Sequence, residues 1–463
     1  MKFEENINLL EPDRSVWQVI EQIAHSEMQE EAFYVLDIGD IVRKHKEWKL
    51  KLPKVEPHYA VKCNDSMMVL EVLNSLGTSF DCASKAEIAK VLQLGADPGK
   101  IIFANPVKQA SHVRYAANTG VTTMTFDNET ELHKIKSLYP SAKLVIRIRC
   151  DATAAQCPLG MKFGVEVDEA PSLLEAAYAL GLDVIGVSFH VGSGCSDAPV
   201  FNRAIRAAKD LFEDAKRIGF DFSLLDIGGG FPGNKGSSID KIADVVNSAL
   251  DEYFPDECGV RVIAEPGRFY VASAYTLATL IHSKRQVKNE GGTYSYMYYI
   301  NDGVYGSFNC LLYDHAVVTP IPLKDTVNMK KQALGTIWGP TCDGLDQVTG
   351  PLMLPEMEIG EWFVFQNMGA YTLPVASTFN GMPVPKVHAV ANESTILMLR
   401  DMCNLNKDEF GTSNLSNDLL AGLNLSEPNR FLSDQQSNSS SLASFPLSFS
   451  SDSYMDDFVE PVN

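Results

Sequence analysis

The 463-residue sequence contains no apolar run approaching the roughly 18 residues that span a bilayer, so no membrane helix is expected. Its first residues, Met1-Lys2-Phe3-Glu4-Glu5-Asn6, lack the charged-then-apolar order of a secretory leader. Positive charge is scarce: 39 Lys and Arg stand against 59 Asp and Glu, a formal charge of −20. That argues against nucleic acid as the main partner, because phosphate contacts require clustered basic residues. The nine cysteines include no Cys-x-x-Cys pair, and their number is odd. Reduced thiols in a cytoplasmic protein are therefore expected, not a disulfide framework. Neither cysteines nor histidines show zinc-ligand spacing, so no metal is expected. No Gly-x-Gly-x-x-Gly follows the first strand and no Gly-x-Ser-x-Gly elbow occurs, which sets aside dinucleotide binding and Ser-His-Asp hydrolysis.

What is present reads as an ordinary soluble chain, 45% hydrophobic and 21% charged. Eight short β-rich runs end in a polar or glycine residue and alternate with helical stretches: Tyr59–Lys62, Ser79–Asp81 with Cys82, Ile101–Ala104, Thr123–Asp127, Leu144–Arg149, Val184–His190, Leu224–Ile227 and Val262–Glu265. Eight strand–helix units predict a (β/α)8 TIM barrel, with its active site at the C-terminal strand ends. After Gly267 the chain turns β-rich without regular helices, predicting a second, mostly antiparallel β domain. The expected division is 1–37 as an N-terminal segment contributing to the β domain, 38–267 as the barrel, 268–405 as the β domain and 406–463 as a tail. Residues 411–463 hold 13 serines, seven acidic residues and one basic residue, the composition of a disordered acidic tail.

The strand ends carry the chemistry. Lys62 closes an apolar strand, on the same face as His58 and Ala60. Desolvation favours a neutral amine there, able to form a Schiff base; alone, the residue reads first as a solvated strand end. Gly228-Gly229-Gly230 ends the seventh strand and lets backbone N–H groups approach an anion, or simply forms a tight turn. Glu265-Pro266-Gly267-Arg268 ends the eighth, with a guanidinium suited to phosphate and a carboxylate suited to a protonated ring nitrogen. His190 could stack on a planar cofactor, and Ser193 between glycines could bind a phosphate oxygen. Together, an amine, a phosphate loop and a ring-nitrogen carboxylate describe pyridoxal 5'-phosphate.

The stretches around Lys62, Asp81, His190, Asp226–Gly233, Glu265–Arg268, Tyr313-Asp314-His315, Trp338–Asp346 and Asn367–Thr372 resemble those of the eukaryotic ornithine decarboxylases, in collinear order over about 30–400. The resemblance implies a pyridoxal-phosphate-dependent decarboxylase of L-ornithine, forming putrescine in polyamine synthesis, with active sites shared across a homodimer. It further implies that Lys62 holds the cofactor, His190 stacks on its ring and Glu265 pairs with its nitrogen. Ser193, Gly230, Arg268 and Tyr371 would hold the phosphate, with Pro266 and Gly267 in the same loop, and Asp81 and Arg147 lining the site. Tyr313 and Asp314 would bind the distal amine, joined by Asp343 from the other subunit, whose Cys342 would protonate the carbanion carbon. The stretch Lys108–Lys134, with Arg114 and Lys134, resembles the antizyme-binding segment of animal members. His58 departs from the family's usual aromatic residue. The alternatives are a non-catalytic antizyme-inhibitor-type homologue and a lysine or arginine decarboxylase on the same scaffold.

Overall fold

The computed structural model describes residues 7–26, 28–150, 155–157, 162–324 and 331–409; the serine-rich stretch 411–463 lies outside them. Eight parallel strands close into a barrel: Val55–Ala60, Ser79–Cys82, Ile101–Phe103, Thr123–Phe126, Lys143–Arg147, Asp183–Ser188, Leu224–Asp226 and Arg261–Ala264. The last returns to the first through Val262↔Val55 and Ala264↔Pro57. Each β-rich run read from the sequence is one of these strands, shifted at its ends.

Alternation sorts each strand into two environments. Val55 and Tyr59 face the helices and join the main core. Ile102, Ala104, Val145, Leu224 and Ile263 form a separate apolar plug inside the barrel. His58 is also inward and buried, and burial pushes its imidazole down to about 4, so it serves as a neutral filler. Helices begin where side chains satisfy free backbone donors: Asn128 caps Glu129–Leu138 by accepting from Glu131 N–H, and Ser84 caps Lys85–Gln93 through Glu87 N–H.

The sequence predicts a strand from Tyr270; the structure has a short helix, Arg268–Val271, and the strand runs Tyr275–Lys288. Phe269, Tyr270 and Val271 are all buried, as are Phe33, Tyr34, Val35 and Leu36 within a strand, so a wholly apolar run carries no alternation that separates helix from strand. Beyond it lies a nine-stranded sheet, in the order Ile7–Leu9, Lys386–Ala391, Phe33–Asp37, Tyr275–Lys288, Tyr294–Ile300, Gln332–Trp338, Gln347–Pro355, with Trp362–Phe365 and Ile321–Pro322 attached. Most pairings are antiparallel; Lys386–Ala391 runs parallel to both its neighbours, as does Tyr294–Ile300 to Gln332–Trp338. Helix Glu393–Glu409 follows, extending a little past the expected start of the tail. Among the described residues no helix is long and apolar enough to cross a membrane.

Trp48, on helix Ile38–Lys51, wedges between the segments that follow the last two barrel strands. Its ring lies 4.7 Å from Phe231 and 5.4 Å from Phe269, and its indole N–H donates to the Val55 carbonyl at 3.0 Å. Both aromatic partners sit next to site loops, so this packing holds those loops down. Trp48→Ala should destabilise the protein by about 3–5 kcal/mol in urea unfolding, the range for a buried aromatic deletion. A loss below about 1 kcal/mol would show that the wedge is not structural.

Candidate active site

The inward residues at the C-terminal rim converge. The first barrel strand ends at Ala60, and Lys62 lies in the 3-10 turn Val61–Cys63 that follows, not in the strand as expected. The turn aims its amine across the mouth to Asp81 on the second strand, with which it forms an ion pair. Burial works against the charge on Lys62, yet Asp81 and then Glu265 outweigh it and hold the amine above the ordinary lysine value. The resting amine is therefore charged, where desolvation alone predicted a neutral one. The contact with Asp81 is the main reason.

Glu265 follows the eighth strand, and its carboxyl is pushed well above its usual range by burial, then by Asp226 and Asp81. His190 follows the sixth strand. Its Nδ1 accepts from Gly192 N–H at 3.0 Å, which assigns the proton of the neutral ring to Nε2. Burial, then Arg147 and Lys62, keep that ring neutral. Arg147 ends the fifth strand, its guanidinium 5.4 Å from the Phe163 ring.

A second group lies beside the first. Arg268 donates to Ser193 Oγ at 2.9 Å and to Asp314 Oδ1 at 2.6 Å, and sits 5.2 Å from the Tyr371 ring. Tyr371 has a positive φ of 54°, unusual for a non-glycine residue, and its N–H donates to Cys63 O. Asn64 donates to Gly369 O, so the loop bearing Tyr371 is tied directly to the turn bearing Lys62. Pro266 O accepts from Ala60 N–H, which joins the Glu265–Arg268 loop to the same turn. Asp314 is 5% exposed and already paired with Arg268, so the sequence-predicted amine acceptor and phosphate binder touch each other.

Cys342 and Asp343 sit elsewhere. Cys342 is exposed and its N–H donates to Asn380; Asp343 accepts from Tyr305. Among the described residues, no hydrogen bond or ion pair joins either to the Lys62 group. Tyr313 is 70% exposed. Lys108, in the stretch likened to an antizyme-binding segment, is buried: its amine pairs with Glu131 at 2.9 Å and donates to the Thr125 and Asn105 carbonyls. It belongs to the interior, while Arg114 remains exposed.

Sequence reasoning gave no role to Asp226, which stands two residues before the glycine run. It is fully buried, inward on the seventh strand beside Glu265, with Oδ1 accepting from Gly228 N–H at 2.9 Å. Burial, opposed by that hydrogen bond, pushes its carboxyl up to about 7. Its neighbours are Glu265, Asp81 and Arg147, and the two adjacent carboxyls share a proton more readily than they carry two charges.

The donor set fits pyridoxal phosphate. Gly228 and Gly230 have φ of 63° and 109°, and a side chain on them would fall 2.1 Å from Phe189 O and 2.7 Å from Gly192 O, so only glycine keeps this backbone open to an anion. Arg268 Nε, Ser188 Oγ, Asp81 Oδ1 and Asp226 Oδ2 are buried polar atoms without a protein partner. Among the described residues, no group of three or more His, Cys, Asp or Glu could hold a metal.

Residues 38–272 match the family described as pyridoxal-dependent decarboxylase, pyridoxal binding domain. The chain is 49% identical over 396 residues to ornithine decarboxylase of Rattus norvegicus, covering 83% of this chain and 86% of the rat protein. It is 48% identical over 398 residues to antizyme inhibitor 2 of Xenopus laevis, covering 83% and 87%. The arginine decarboxylase of Paramecium bursaria Chlorella virus superposes with a TM-score of 0.77 at 37% identity, covering 81% of this chain and all of the viral one.

The buried Asp226 generates a pH prediction. The unfolded chain releases this proton near the ordinary carboxyl value, whereas the folded protein retains it to about 7. The unfolded state thus binds fewer protons between the two, and folding stability falls as pH rises through that window. In cofactor-free protein, Asp226→Asn should gain on the parent from about pH 4 to 7, by at most about 1.4 kcal/mol per unit, and level off above. A pH-independent difference in denaturant midpoint would show that Asp226 is ionised throughout.

Proposed function

The chain belongs to the pyridoxal-dependent decarboxylases, and from that premise we propose that it decarboxylates L-ornithine to putrescine and CO2, at the start of polyamine synthesis in the cytoplasm. The observation that carries this reading is Lys62, paired with Asp81 at the barrel mouth beside the glycine–arginine cradle. Pyridoxal phosphate, when bound, supplies the aldehyde that takes up an amine and the ring that accepts the electrons freed by carboxylate loss.

Each residue then has a task. Lys62 would hold the cofactor and yield it to the substrate amine, with Asp81 fixing the amine's position and Arg147 lining the site. Glu265 would keep a proton on the ring nitrogen, and the neutral His190 would cover one ring face without opposing that charge. Ser193, Gly230, Arg268 and Tyr371 would anchor the phosphate, with Pro266 and Gly267 holding the loop against Ala60. Asp314, beside Tyr313, would accept the distal ammonium; a nearly buried carboxylate favours a cationic side chain over an apolar one, which offers it no hydrogen bond.

Cys342 and Asp343 would complete the site from a second copy of the chain, as proton donor and second amine acceptor. The exposure of Cys342 supports this, as do the exposed apolar residues Leu312, Tyr313, Leu345 and Phe379 on or near the same loops. A thiol is a suitable acid near neutral pH.

The similarity to antizyme inhibitor 2 favours a second reading, a non-catalytic binder. The retained Lys62, Asp81, Arg147, Arg268, Asp314, Cys342, Asp343 and Tyr371 support catalysis instead. Antizyme binding would then be a property of the enzyme, through exposed residues such as Arg114 and not through Lys108.

CO2 release by the purified, cofactor-supplemented homodimer decides among these. We expect kcat/KM for ornithine to exceed that for lysine by about 10–200-fold, the discrimination that one methylene supports. Preference for lysine or arginine overturns the substrate; no release from any of the three supports the binder. Mixing Lys62→Ala with Cys342→Ala subunits should restore about a quarter of parental activity, since half the dimers carry one intact site of two. No recovery after demonstrated exchange overturns the shared site.

A further inference from the structure

The short ribbon of Ala155–Cys157 against Ser193–Cys195 carries a residue with no task so far. In it Ser193 lies opposite Cys157, and Cys195 opposite Ala155, so Gln156 faces Gly194. Gly194 has φ 61°, and a side chain there would fall 2.8 Å from Gln156 Oε1 and 2.9 Å from Gln156 Cβ. Glycine at 194 is what lets the glutamine side chain cross the ribbon. At its far end Gln156 Nε2 donates to Asp314 Oδ2 at 3.2 Å and also to the Asp314 main-chain carbonyl.

We propose that Gln156 is a positioning residue for Asp314, holding one carboxylate oxygen away from Arg268 so that it can receive the distal ammonium of a diamino acid. The inference rests on the reading of Asp314 given above. Arg268 binds Asp314 through Oδ1 alone, at 2.6 Å, while a guanidinium and a carboxylate left to themselves favour two parallel hydrogen bonds. Both partners are nearly buried, so water does not compete for the second oxygen. The glutamine amide does. It takes Oδ2 on one side, and Cys157 Sγ approaches Oδ1 at 3.6 Å on the other.

Because a carboxylate offers about two lone-pair directions on each oxygen, Oδ2, with one taken by the amide, still has one for an incoming N–H. A neutral donor suits this purpose: it fixes the oxygen without cancelling the charge that attracts the ammonium. A lysine or arginine at 156 would fix and cancel together. Without the amide, Asp314 is free to close into the two-bonded pair with Arg268 and is lost to the substrate.

The test is steady-state kinetics on the cofactor-loaded dimer of Gln156→Leu, with Gln156→Met as a second variant that keeps the length and neutrality but not the donated bond. The expected result for both is an ornithine KM about five- to tenfold higher with kcat within about twofold, the size of effect that one ordinary net hydrogen bond produces. Calorimetric binding of putrescine should weaken by a similar factor, while n-butylamine, which lacks the second ammonium, should bind as before. In an Asp314→Asn background, Gln156→Leu should add no further loss. An unchanged ornithine KM in both Gln156 variants, where Asp314→Asn alone raises it, overturns the inference and leaves Asp314 in place. Equal weakening of putrescine and n-butylamine overturns it as well. An unchanged KM in Asp314→Asn removes the Asp314 reading and this one with it.

Discussion

A charged amine enclosed by carboxylates is the interaction on which the barrel mouth depends. Asp81, Asp226 and Glu265 all point inward within a few residues of the strand ends, and all are buried. An isolated ion there costs several kcal/mol, so three carboxyls can coexist only with cations and shared protons among them. Lys62 supplies one positive charge in contact with Asp81, and Arg147 supplies another. Burial drives the remaining charge out as a proton on the Asp226–Glu265 side. A barrel assembled from adjacent parallel strands is well suited to this, since each strand end delivers one inward residue to the same small volume.

A second junction of opposite charges, Arg268 with Asp314, extends the same logic outward. It joins the loop after the eighth strand to the short helix Cys310–Tyr313, which follows the strands of the large sheet. The turn holding Lys62 is meanwhile tied to the loop at Gly369 and Tyr371. Barrel and sheet therefore meet through polar contacts that are also the site's walls. Trp48, packed on Phe231 and Phe269, is the apolar counterpart behind them. Displacing one wall displaces the chemistry, because the donors here are backbone groups and short side chains with little slack.

Legibility in the sequence followed the range of the interaction. The eight barrel strands were readable because each is a short apolar run punctuated by glycine or a polar residue, a local signal. The strand predicted at Tyr270 failed for the complementary reason: Arg268–Val271 is buried on every side, so it carries no alternation to distinguish strand from helix. Lys62 stood out in the sequence, but Asp81, which pairs with it, reaches it only through tertiary structure. Lys108, in the stretch likened to an antizyme-binding segment, gave no sign of the Glu131 that pairs with it inside the protein. Asp226 was masked by the glycines beside it. Gln156 lies 158 positions from Asp314 in the chain, and nothing in its own neighbourhood hints at that contact.

The strongest physical argument about function comes from what the site does not satisfy internally. Arg268 Nε, Asp81 Oδ1, Ser188 Oγ and Asp226 Oδ2 are buried without protein partners, and each such atom costs on the order of 1–3 kcal/mol. Such atoms also occur singly elsewhere, as at Asn247 and Thr349, but these four lie together at the mouth of the barrel. A scaffold kept only for an outer binding surface has no use for that expense. Groups arranged to meet a phosphate, a ring nitrogen and an ammonium do, because the ligand supplies the missing bonds, and their directions are fixed before it arrives. The polarity of the barrel mouth is thus better explained by chemistry carried out there than by the stability of the fold around it.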